Sequence, residues 1–211
     1  MGDHQPTPRL PPEAATSPAQ PERETGLAKA AAGGDVRATR QLLEQVAPRV
    51  ARAVRAVMGP AHAEVDDATQ LALIAFIQAL PGFRSECPPV QFAARIAVRT
   101  AAGVRRRAGA RRLGHDPSVD VDTIEVPPEE LDATRRRAAV RALLDELPEE
   151  QAEALALRLM LGWSLKEIAD ATSTPINTVR SRMRLAKDAL RKRVAADPAL
   201  AAALDRATGD A

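Results

Sequence analysis

Residues 164–194 read SLKEIADATSTPINTVRSRMRLAKDALRKRV. Ser164 with Glu167 three positions on is a capping box, in which each side chain satisfies a backbone N–H that the helix start leaves open. The short helix it opens stops near Thr172-Ser173. Thr174-Pro175 then starts a long helix, with Thr as N-cap and Pro at the next position. A short helix, a tight turn and a second helix make a helix-turn-helix. On a wheel of ~100° per residue, Ile176, Val179, Met183, Ala186, Leu190 and Val194 share one face. Asn177, Ser181, Arg184, Asp188 and Arg191 lie opposite, with Arg180 at the border. The apolar seam is expected to dock on Leu165, Ile168 and Ala169. The outward face then carries Asn177, Arg180, Ser181 and Arg184, types that suit base edges and phosphates. A helix packed in a bundle with a solvated basic face is the plainer alternative. The caps, the turn length and the basic density together favour DNA binding.

The rest of the composition agrees with helices. Of 211 residues, 45% are hydrophobic, and nearly half of those are Ala. The four aromatics are Phe76, Phe83, Phe92 and Trp163. Sheets draw on β-branched and aromatic residues, whereas Ala, Leu and Arg favour helix. The expected class is all-α: two small helical domains joined by a flexible acidic linker, the C-terminal one a helix-turn-helix.

The formal net charge of +2 hides strong segregation. From Arg95 to Arg112 there are seven Arg and no acid; from Leu113 to Thr134, seven acids and no Lys or Arg; from Arg180 to Arg193, seven bases and one acid. Two basic blocks flank an acidic one; basic residues clustered on a helix are the footprint expected of a nucleic-acid binder, and solvated helix faces are the equally open alternative. A single Cys, Cys87, excludes an intramolecular disulfide, and His4, His62 and His115 lie far apart. No pattern calls for a cofactor or a metal. The N-terminus lacks an apolar signal core, and the longest apolar run, Leu71 to Ile77, is short of the ~20 residues of a membrane span. A soluble cytoplasmic protein is predicted, without membrane insertion. No nucleotide-cradling loop is present, and no His or Cys is placed for nucleophilic catalysis; neither an enzyme nor a small-molecule substrate is expected.

Residues 1–25 form a Pro-rich tail expected to stay disordered. Helical spacing follows in residues 26–112. Leu43, Val46, Val50, Val54 and Val57 line one face, with a kink or break expected at Pro48. Further helices are predicted over Glu64–Leu80 and Val90–Arg112. Residues 113–137, acidic and rich in Pro and Gly, read as a linker. Helices resume over 138–196, and 197–211 read as a tail. The Arg95–Arg112 block beside Phe92 suits a single strand or a melted duplex, where a base stacks on a ring; a ring packed in the core is the commoner alternative.

These residues resemble a bacterial RNA polymerase sigma factor of the extracytoplasmic-function (ECF) type, in the sigma-70 family. The C-terminal likeness rests on Leu147-Pro148-Glu149-x-Gln151-x-Glu153, Gly162-x-Ser164-x-x-Glu167-Ile168-Ala169 and Pro175-x-x-Thr178-Val179-Arg180-Ser181-Arg182. The N-terminal likeness rests on Asp67-x-x-Gln70, Leu80-Pro81-x-Phe83-Arg84, Phe92-x-x-Arg95-Ile96-Ala97 and the Arg105–Arg107 cluster. Leu71, Ile77, Arg99, Gly103 and Ser173 depart from the usual family residues.

The resemblance implies a polymerase-binding surface at Asp67 and Gln70. It implies contacts with the promoter -10 element at Phe92, Arg95, Arg99, Arg105, Arg106 and Arg107. Contacts with the -35 element fall to Asn177, Arg180, Ser181, Arg182 and Arg184. The implied partners are core RNA polymerase, promoter DNA and, as in many members, an anti-sigma factor. The alternative is a stand-alone helix-turn-helix repressor or activator.

Overall fold

The computed structural model describes residues 19–112 and 128–196. Among them are eight α-helices, one short 3-10 turn and no strand. The helices are α1 (Ala19–Ala32), α2 (Val36–Met58), α3 (Val65–Ala79), α4 (Pro89–Arg112), α5 (Pro128–Glu146), α6 (Glu149–Leu159), α7 (Leu165–Thr172) and α8 (Ile176–Ala196).

Helix α2 is the hub of the N-terminal half. Asp35 opens it: its Oδ1 accepts from the backbone N–H of Arg37 at 2.8 Å and of Ala38 at 3.1 Å, satisfying donors the helix start would otherwise leave open. Leu42, Val46, Val50, Val54 and Val57 recur every three or four residues and are fully buried. Gly59 ends the helix at φ 94°, a backbone state that glycine reaches without strain. Of the kink or break expected at Pro48, the break does not occur: α2 is continuous across it. Pro48 lies on the exposed side, where water can satisfy the freed carbonyl, while buried Val46 and Val50 hold the turns around it.

Helices α1, α3 and α4 pack around α2. Phe76 is the largest fully buried side chain and sits on α3 in line with Ala68 and Ala72. The C-terminal half, α5–α8, closes on Leu143, Leu144, Leu155, Leu157, Ile168, Val179 and Met183. The buried side chains of both halves join in one continuous cluster. Helix α4 is the shared element, packed on α2 and α3 and on α5, α6 and α7.

Several boundaries differ from the expected ones. Helix α1 starts at Ala19, inside the stretch expected to be a tail, and α5 starts at Pro128, inside the stretch expected to be a linker. Proline at a helix start loses no hydrogen bond, so the Pro-rich signal there marks an entry as readily as a loop. Residues 1–18, 113–127 and 197–211 lie outside the described residues, and with them most of the expected tails and the core of the expected linker.

Candidate nucleic-acid interface

The helix-turn-helix is built largely as its spacing predicts. Ser164 Oγ accepts from the Glu167 N–H at 3.2 Å, and the Ser164 N–H donates to Glu167 Oε2 at 2.7 Å. Helix α7 ends at Ser173, whose φ of 49° and ψ of 41° are left-handed. One detail differs. The Pro175 carbonyl accepts the first bonds of α8, from Thr178 and Val179. Thr174 Oγ1 instead donates back to the Thr172 carbonyl at 3.1 Å. Pro175, not Thr174, therefore stands at the head of α8.

On α8, Val179, Met183 and Ala186 are buried against the domain. Ile176 is half out of the seam, at 37% exposure, and the Val194 side chain lies outside the described residues. Asn177, Arg180, Ser181 and Arg184 are exposed, and Arg182 is half-buried. Asn177 Oδ1 accepts from Arg180 Nη1 at 2.8 Å, which restrains both side chains before any ligand arrives. The first turn of α8 carries no acid. Four outward side chains from about two helical turns thus form a polar, basic edge with buried support beneath it.

The second predicted surface looks different. Phe92 does not stand on an open face. Its ring packs 5.0 Å from Phe83 and 6.1 Å from Phe76, centroid to centroid, and is half-buried. Such tilted pairs are a packing arrangement. Phe92→Leu is therefore expected to retain most of the stability that Phe92→Ala loses, which urea titration of both variants checks. An alanine variant as stable as wild type would mean that the ring is not held for packing.

Four arginines of α4 are engaged by acids from the C-terminal half. Arg95 Nε pairs with Glu153 Oε1 at 2.8 Å, and Arg95 Nη1 donates to the Ala171 carbonyl at 3.2 Å. Arg99 Nη2 meets Glu149 Oε1 at 2.6 Å, and Arg106 Nη2 lies 3.9 Å from Glu149 Oε2. Arg105 grips Asp145 with two bonds, at 3.1 and 2.6 Å, and donates to the Met58 and Arg141 carbonyls. Arg107 is exposed. Glu153 is the buried charged side chain among the described residues, and a carboxylate so placed needs a partner such as Arg95. Nearby Arg141 donates to the Ala56 carbonyl at 3.0 Å; burial, then the charges of Arg105 and Arg137, hold its guanidinium below the usual range.

Asp67 and Gln70 are exposed on α3, as the sequence predicts. Beside them Leu71, Ile74 and Ile77 expose 47%, 50% and 38% of their surface. Residues 67, 70, 71, 74 and 77 follow helical spacing, so they form one face. Residue spacing alone missed this row, because Ala68, Ala72 and Phe76 already account for a buried face; the signal was that α3 is apolar on more sides than one core can cover.

Burial pushes the Cys87 thiol up to about 11, which leaves it protonated and unreactive near neutral pH. Among the described residues no group of three or more His, Cys, Asp or Glu is placed to hold a metal. No described helix is long and apolar enough to cross a membrane.

Comparison with known proteins defines the class. The family model for sigma-70 region 2 matches residues 42–111, and that for sigma-70 region 4 matches residues 137–190. The ECF RNA polymerase sigma factor SigD of Mycobacterium tuberculosis is 32% identical over 187 residues, covering 84% of this chain and 86% of that protein. The ECF RNA polymerase sigma-E factor of Escherichia coli is 34% identical over 145 residues, covering 62% and 74%. Among solved structures, CnrH in complex with the cytosolic domain of CnrY superposes with a TM-score of 0.52 at 25% identity, covering 82% of this chain and 98% of that one. This chain belongs to the ECF RNA polymerase sigma factors.

Proposed function

We propose that the chain binds core RNA polymerase and directs it to selected promoters, the polymerase supplying all the chemistry. The observation that carries this reading is the presence of both sigma-70 regions in one chain. Residues 138–196 act as the reader of the -35 element, through Asn177, Arg180, Ser181, Arg182 and Arg184. Residues 26–112 act at the -10 element, through the α4 arginines. Phe92 supports that surface from within.

The exposed face of α3 is the polymerase-binding surface. Asp67 and Gln70 give it polar register. Leu71, Ile74 and Ile77 give it an apolar area of the kind that marks a protein contact. The factor works in the cytoplasm, where the polymerase is. An anti-sigma factor is its further proposed partner; CnrH is a relative in fold solved with another protein bound.

The test is reconstitution. Full-length protein is added to core polymerase, and promoter-dependent transcripts are measured on a genomic fragment library. Initiation at a defined set of promoters is expected, with promoter binding that falls steeply with salt as phosphate contacts are screened. Specific DNA binding without any complex with core would instead identify a stand-alone regulator.

A further inference from the structure

The side chains assigned to the -35 element are all polar or charged, yet the face they occupy is not. Leu185 stands among them with 47% of its surface exposed. At ~100° per residue it lies about 20° from Thr178, about 40° from Ser181 and about 80° from Asn177. All three are exposed, as is Arg184 beside it. The inward positions of α8 are taken by Val179, Met183 and Ala186, so the core does not draw Leu185 in. A lone exposed leucine is ordinary on a protein surface; the place of this one is what counts. It is also too little for a protein contact. A stable interface takes about 800 Å² from each partner, and the residues a turn away from Leu185 are Ser181, Arg182, Asp188 and Ala189.

We propose that Leu185 is a specificity-determining residue of the upstream reader, packing on the C5 methyl group of a thymine in the major groove. The proposal rests on the reading of α8 as the -35 helix. Thymine is the base whose major-groove edge carries a methyl group, and an aliphatic side chain recognises it by excluding water. The polar neighbours act on a different chemistry. Asn177 Oδ1 is already engaged by Arg180, so this pair offers N–H donors to acceptors such as guanine O6 and N7. Leu185 adds what donors do not supply, the distinction between thymine and cytosine at one position. The nearest acid along the face, Asp188, pairs with Arg191 at 3.0 Å, which balances its charge where phosphates would pass.

The helix also sets the register. From Asn177 to Leu185 the axis advances roughly 12 Å at ~1.5 Å per residue, which matches about three to four base pairs at ~3.4 Å each. Arg184 and Leu185 are adjacent, so the thymine lies within about two base pairs of the position that Arg184 reads.

The experiment uses holoenzyme assembled from core polymerase and the full chain, on a promoter taken from the fragment library. Each thymine of the upstream element, on either strand, is replaced singly by deoxyuridine, which lacks only the methyl group. Competition binding gives the relative affinities. The variants are Leu185→Ala, Leu185→Met and Leu159→Ala. Leu159 is another leucine, 48% exposed, on α6 and outside the reading face.

Wild type is expected to lose about fourfold in affinity at one thymine, the usual worth of one buried methyl group. That thymine should fall within about two base pairs of the position where Arg184→Ala relaxes discrimination. Leu185→Ala should bind the thymine promoter as weakly as wild type binds the uracil one, and lose nothing further with uracil. Leu185→Met, which keeps a flexible apolar side chain, and Leu159→Ala should both retain the sensitivity. Uracil sensitivity that persists in Leu185→Ala overturns the assignment, as does a wild type that tolerates uracil at every position. Loss of core binding in Leu185→Ala places the residue in a protein contact and equally overturns it. Arg184→Ala, run alongside, separates the two levels. If it weakens promoter binding while the uracil scan is flat, the reading of α8 stands without Leu185. If neither variant changes promoter binding, α8 is not the upstream reader.

Discussion

Phe76→Ala is expected to lower the unfolding free energy by about 3–5 kcal/mol, the usual cost of emptying a buried aromatic site. Phe76 is fully buried. Its neighbours on the buried side of α3 are Ala68 and Ala72, too small to fill the space it would leave. It also contacts the Phe92 ring of α4. Removing it frees α3 from the side that anchors it, and α3 carries the exposed row Leu71, Ile74 and Ile77. Against a typical total stability of about 5–15 kcal/mol, the loss is large. Urea titration should show a lower midpoint with little change in slope, and holoenzyme formation should fall with it. A variant that melts within about 1 kcal/mol of wild type would mean that Phe76 is not the anchor.

Arg184→Ala acts on recognition rather than on folding. Arg184 is exposed on the outward face of α8 while Met183 beside it is buried, so truncation leaves the core intact. An arginine that reads a guanine with two bonds discriminates by about 1–3 kcal/mol, roughly 5- to 150-fold. Promoter binding by the holoenzyme should drop within that range, and discrimination should relax at one position of the upstream element. Binding to core polymerase should not change. Footprinting on a set of single-base promoter variants, with a core-binding titration alongside, reads both. Equal loss of core binding would remove α8 from the role of upstream reader.

The local parts of this structure were legible in the sequence. Ser164 and Glu167 form the box that their spacing announces, and the Val179, Met183 and Ala186 face is the buried one. Such features depend on residues three or four apart, which a helix brings together. What was not legible depends on partners distant along the chain. The charge blocks showed where the arginines were; nothing in the spacing showed that Asp145, Glu149 and Glu153 would reach them, across 40 to 58 positions. The sequence left Phe92 open between a platform beside basic residues and, more commonly, a ring packed in the core. Its packing on Phe76 and Phe83 becomes visible only when α3 and α4 are laid side by side. Pro48 read as a kink or break because local propensity was the only information; buried valines on either side hold the helix through it.

In its proposed role as the polymerase-binding surface, the apolar row on α3 sets how that contact responds to salt. An attachment built on Leu71, Ile74 and Ile77 draws on the exclusion of water, which ions scarcely weaken. Grip on phosphates is the opposite, fading quickly as ions accumulate. On the proposed reading the two are expected to separate as salt rises: the hold on polymerase persists while the hold on promoters slackens.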